Sequence, residues 1–133
     1  MQVKIGSTDV TQYVQEKTYD INAEKKYTST WTDSNHVEHR DGAYEKITGT
    51  FQMVFIDGYT ANNTIVDGFS DFLTLLSNNT SGGVTAMSVT VNNQNGVLKT
   101  ISAYVDLKAS PMRYPNNGSH AVVKRVTVTV KEQ

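Results

Sequence analysis

The chain has no cysteine and only two prolines among 133 residues. Without cysteine there is no disulfide framework, and no thiolate can act as nucleophile or metal ligand, so stability must come from packing. An excess of one charge is missing too. Twelve Lys and Arg stand against thirteen Asp and Glu, for a formal charge of -1, which provides no global basic field for nucleic acid. Apolar runs fall far short of the ~20 residues that span a bilayer. The opening "MQVKIGSTDV" has neither the basic start nor the apolar segment of a secretory signal. These absences predict a protein made in the cytoplasm, away from the membrane, that does not read DNA or RNA.

What is abundant is Thr, Ser, Asn and Val, with seven Tyr. That usage favours half-buried strands joined by Asn/Gly turns. The length fits a single domain, 1–133, able to bury roughly two-thirds of the surface of its unfolded chain. The N-x-[ST] matches at Asn62, Asn78, Asn79 and Asn117 read as turn-forming Asn beside Ser or Thr.

Val3 and Ile5 mark a short N-terminal strand, and residues 15–26 read as a second short strand or an extended loop. From Tyr27 the alternation sharpens: Tyr27, Ser29, Trp31 and Val37 share one parity and Thr28, Thr30, Thr32 and Ser34 the other. Asp41-Gly42 is a two-residue hairpin signal. A turn there sets Asp33 to His39 opposite Ala43 to Gly49, with the apolar residues at the base and a polar tip. The return strand buries Ile47, Gly49, Phe51, Met53 and Phe55. Phe69, Phe72, Leu73 and Leu76 at i, i+3, i+4 and i+7 predict one helix over about residues 67–77, capped by Asp67 and ended by Asn78, Asn79 and Gly82-Gly83. Met87, Val89 and Val91, the turn "NNQNG" and a return from Val97 to Leu107 give a second hairpin. Residues 108–121, with both prolines, read as a long contact loop, and Val122, Val126, Val128 and Val130 as the last strand. The order predicts a mainly β fold: an antiparallel β-sandwich or open barrel with one packed helix and a long protruding hairpin arm.

Chemistry is sparse. His36 and His39, near Asp33, Glu38 and Asp41, are the only cluster of metal-ligand types, but on a strand positions three apart point to opposite faces. Ser119-His120 lacks any strained nucleophile turn, Asp67 and Asp71 are explained by the helix N-terminus, and Gly82-Gly83 follows the helix where a phosphate loop would precede it. No catalytic residue, metal ligand or cofactor is therefore assigned, and the chain reads as a non-enzyme. Trp31, Tyr44, Tyr59, Tyr104 and Tyr114 offer aromatic faces on which sugars stack, which makes a monomeric carbohydrate-binding β-sandwich the alternative reading.

The layout of "VKIGSTDVTQYV", the arm through "HRDG", "KITGTFQMVF", the helix "FSDFLTLL" and the closing "VKRVTVTV" resembles that of small bacteriophage and prophage tail proteins over nearly the whole chain. The resemblance lies in layout and not in a diagnostic motif. It implies a β-sandwich or barrel with one helix that assembles into homo-oligomeric rings with other tail proteins, without catalysis, in the virion tail after synthesis in the host cytoplasm. It implies assembly contacts on the arm around residues 24–48, at Trp31, Asp33, His36, Glu38, His39, Arg40 and Tyr44, and on the Pro-containing loop at Met112, Arg113 and Tyr114. No pair of hairpins that would line a tube is evident, so baseplate, connector and minor tail roles stand beside tail tube.

Overall fold

The computed structural model describes residues 1–79, 85–113 and 122–133. Nine strands form: β1 Lys4–Ile5, β2 Thr8–Asp9, β3 Asp20–Thr32, β4 Glu38–Asp57, β5 Tyr59–Ala61, β6 Thr64–Val66, β7 Met87–Asn92, β8 Leu98–Arg113 and β9 Val122–Glu132. Seven of them make one antiparallel sheet in the order β2-β1-β7-β8-β9-β4-β3, and β5 and β6 form a separate hairpin. The one α-helix among the described residues, α1, spans Gly68–Asn79. The mainly β, antiparallel, one-helix fold expected from the sequence is the fold observed.

Alternation builds the core. Phe51, Met53 and Phe55 of β4, Val89 and Val91 of β7, and Val126, Val128 and Val130 of β9 are all buried on one face of the sheet. Helix α1 closes that face, packing Phe72 and Phe69 in tilted contact with Phe55, ring centroids 5.4 and 5.7 Å away. Phe72 and Leu76 are buried, but Leu73 is 44% exposed and Leu75 flanks the core in its place, so the apolar stripe is rotated from the one read in the sequence. The cap differs as well. The Asp67 carbonyl accepts the first helical bond, but the carboxylate at the helix start belongs to Asp57, buried at the end of β4, whose Oδ1 accepts the Phe69 N–H at 3.1 Å. Lys124 of β9 lies 3.6 Å from Asp57 Oδ2 and rests on the Phe69 ring. That long-range partner is what an apolar-period reading of residues 67–77 misses.

Residues 15–26 are neither loop nor short strand. Single 3-10 turns at Thr11–Tyr13 and Glu16–Thr18 lead into β3, which runs unbroken for 13 residues. The start of the expected Pro-containing loop is also strand: β8 continues to Arg113, with Pro111 opposite Lys124. Proline fits there because β7 pairs only with residues 98–103, leaving that side of β8 at Pro111 without a described strand that needs the missing N–H. Gly82-Gly83, Tyr114 and Ser119-His120 lie outside the described residues. The β5–β6 hairpin went unread; its turn is Asn62-Asn63, both at positive φ, as a primed two-residue turn requires.

The sheet curls until its two sides meet through side chains. Tyr19 Oη donates to the Asn92 carbonyl at 2.6 Å and accepts the Asn92 N–H at 2.8 Å. One turn along, the Gln94 side-chain amide accepts the Ala23 N–H at 2.6 Å and donates to the Ala23 carbonyl at 3.1 Å. Side chains thus stand where a strand ladder would complete a barrel.

Candidate assembly arm

Strand β4 pairs with β9 only from Asp57 back to Thr48, and with β3 along its whole remaining length. From Glu24 opposite Lys46 to Thr32 opposite Glu38, the β3–β4 ribbon therefore leaves the sheet. At about 3.4 Å per residue the eight steps extend about 27 Å. Two-stranded ribbons are marginally stable in water without a third strand or a packed face, and this one has neither among the described residues.

The ribbon does not turn at Asp41-Gly42. Its turn is Asp33 to Val37: His36 N–H donates to the Asp33 carbonyl at 3.1 Å, Asp33 N–H donates to the Val37 carbonyl at 3.0 Å, and His36 sits at φ 62. Asp33 Oδ1 accepts the N–H groups of Asn35 and Val37. The same geometry recurs in the β7–β8 turn, where Asn93 Oδ1 accepts from Asn95 and Val97 and Gly96 takes the position of His36. Both are three-residue loops whose third residue is left-handed. Asp33 to His39 therefore faces itself across the turn, and the partner of Ala43 to Gly49 is Ile21 to Tyr27.

Gly42 does take the positive φ that its sequence promised, +66°, but in mid-strand. At the root, Ala23 points its N–H and carbonyl away from β4 toward Gln94, so even-numbered residues of β3 bond to β4 there. At the tip, odd-numbered Asp33 makes the bond. The switch falls at Thr28 and Gly42, the one position missing from the ladder, where Thr28 Oγ1 donates to the Asp41 carbonyl. Across it Arg40 reaches the Tyr27 ring, 4.9 Å from the centroid, and donates to Tyr27 Oη at 3.3 Å.

The expected contact residues divide into two groups. Trp31, Asp33, His36, Glu38, His39, Arg40 and Tyr44 all lie on the arm. Trp31 stacks on His39 at 4.2 Å and stays 50% exposed; Val37 is 52% exposed, so the tip is not wholly polar. His39 Nε2 pairs with Asp33 Oδ2 at 2.8 Å, and that contact, with the Val37 and Asn35 amides, holds the Asp33 carboxyl below the usual range. Arg40 pairs with Glu38 at 3.2 Å. Met112 and Arg113 instead end β8 opposite Val123 and Val122. Nine residues of β9 separate them from the arm root, about 30 Å, so the structure does not gather the two groups at one place. Among the aromatics weighed as a sugar platform, Trp31 and Tyr44 are on the arm and Tyr104 is on β8.

Two residues that no sequence pattern marked delimit the arm. Gln94 occupies the outer edge of β3 at Ala23, and Glu132 Oε2 accepts the Ile47 N–H at 2.6 Å on the outer edge of β4. Each side chain stoppers a backbone position that a further strand would use. Above them no described residue pairs with the outer edges of the two strands, Lys25 to Trp31 on one side and His39 to Glu45 on the other. Among the described residues, no group of three or more His, Asp or Glu could hold a metal ion, and no helix is long and apolar enough to cross a membrane. No protein-family model, curated protein or solved structure matches this chain.

Proposed function

We propose that this chain is a non-enzymatic structural component of a phage or prophage tail, in its tube, baseplate or minor tail parts, and that it self-assembles through the β3–β4 arm into a ring within the virion tail. The observation that carries the reading is a ribbon about 27 Å long, with no third strand on either edge among the described residues. Such edges invite strand addition from another chain, and charged residues along them oppose the uncontrolled version. Here the open edges differ in sign: that of β3 carries Lys25 and Lys26, the latter paired with Glu24, while that of β4 carries Asp41 and Glu45 against Arg40, itself paired with Glu38. An edge of one sign pairs with the edge of the other on the next copy, a head-to-tail contact that closes into a ring when the rotation allows. Gln94 and Glu132 confine that pairing to the arm and keep it off the sheet.

Arm shortening tests the reading. Residues 25–45 are replaced by Asn-Gly, which joins Glu24 to Lys46 at a hydrogen-bonded pair and preserves register. The expected product keeps the circular dichroism and melting temperature of the parent but no longer forms the parent's ring; a ring equal to the parent's contradicts the role of the arm.

A further inference from the structure

The outer face of the curled sheet, opposite α1, is hydroxyl-rich and on balance basic. Residues that alternate with the buried valines of β9 point outward: Arg125, Thr127, Thr129 and Lys131. Thr127 lies between Gln52 of β4 and Lys108 of β8, and Thr129 lies between Thr50 and Asp106. Lys108, Arg125 and Lys131 are exposed, and none joins an ion pair among the described residues. Asp106 and Asp20, the latter exposed and opposite Thr50, are the carboxylates at the two ends of the row that holds Thr50 and Thr129. The other side of the molecule has the reverse charge. Residues 47–98 contain no Lys or Arg, and the surface around α1 presents Asp67 and Asp71, exposed and in no ion pair among the described residues, beside the exposed Asp9; it also carries Lys124, held against Asp57 and the Phe69 ring, and Lys4, opposite Asp9. Because α1 packs on the buried face through Phe55 and Phe72, the two surfaces lie on opposite sides of the sheet.

We infer that the threonine-lysine face is a second docking surface and that its occupant is the acidic α1 surface of another copy of this chain. With a net charge of only -1, copies do not repel strongly, and opposite local fields orient them face to helix. The contact is heterologous, like the arm contact, and adds a second direction of growth; it rests on the reading that the chain self-associates but uses none of the arm. Exposed charges are screened beyond about 8 Å at physiological ionic strength, so this association weakens as salt rises.

The test is sedimentation equilibrium of the arm-shortened protein and its charge variants at low and high salt. Expected are self-association at low salt that is lost at high salt, loss in Lys108→Glu/Arg125→Glu/Lys131→Glu and in Asp67→Lys/Asp71→Lys, and recovery when these two variants are mixed in equal amounts. Recovery shows that neither variant failed by misfolding. An arm-shortened protein that is monomeric at low salt and high concentration, or charge variants that associate like the parent, or a mixture that stays monomeric, overturns the inference. None of these touches the arm reading, which fails separately if shortening leaves the assembly of the full chain unchanged.

Discussion

Gly96 and His36 hold equivalent places in two turns of one geometry, at φ +74 and +62. No atom lies within 4 Å of where a Gly96 Cβ would stand, so Gly96→Ala suffers from backbone conformation alone. The left-handed region costs an L-residue about 1–2 kcal/mol, partly offset by the stiffer unfolded chain, which leaves a loss of about 1 kcal/mol or about 4 °C in a thermal melt. Gly96→Asn should cost less, since Asn tolerates that region. In the arm, His36→Gly relieves the same strain and should slow exchange of the Asp33 amide. Gly49 has a different constraint: it pairs with Ile21 on one side and Val130 on the other, and a Cβ there collides with the Asp20 carbonyl. Gly49→Ala should lose about 3 kcal/mol in urea unfolding, an overpacking cost at the point where the arm leaves the sheet.

The arm tip carries a pH dependence of definite sign. The Asp33 carboxyl is held below its ordinary value, first by His39 and then by the Val37 and Asn35 amides. Its contribution to the turn is therefore complete above the ordinary carboxylate value and lost as pH falls through the depressed one. Amide shifts of Asn35 and Val37 should follow that loss, and Asp33→Asn, which preserves the turn as Asn93 does in the sister loop, should flatten the response. Along the edge, Lys25→Pro removes an N–H that points away from β4, so it should leave the ribbon paired and the melting temperature unchanged while lowering assembly. The elements were readable from sequence where period and composition agree: β7, β9 and the lower half of β4 alternate cleanly, and α1 has its stripe. Asp41-Gly42 misled because that pair reports positive φ and not a turn. The backbone needed a left-handed residue at Gly42 to switch ladder parity, while the actual turn used His36, which carries no such signal. Gln94, Glu132 and Asp57 were unreadable for a simpler reason: each acts on a partner at least 12 residues away, and only the fold brings them together.

Taken as a whole, the molecule is a curled sheet with a sound core on one side and several surfaces not needed for its own folding. Phe55 ties the layers together through Tyr13, Phe69 and Phe72, so Phe55→Ala should cost about 3–5 kcal/mol and show as lost cooperativity. The arm contributes little to that core, since burial stops at Ile21 and Ile47. A 20-residue strand whose far half has no third strand beside it among the described residues is the feature behind the proposed assembly, and the charges of the two arm edges are the reason another copy is the proposed partner. The most direct measurement is the mass in solution of the full chain and of its arm-shortened form, by light scattering across a concentration series. A full chain that rises to a defined multiple of 14.7 kDa, beside a shortened form that does not reach it, is the expected result. A full chain that stays at 14.7 kDa at every concentration, or a shortened form that reaches the same multiple, would contradict assembly through the arm.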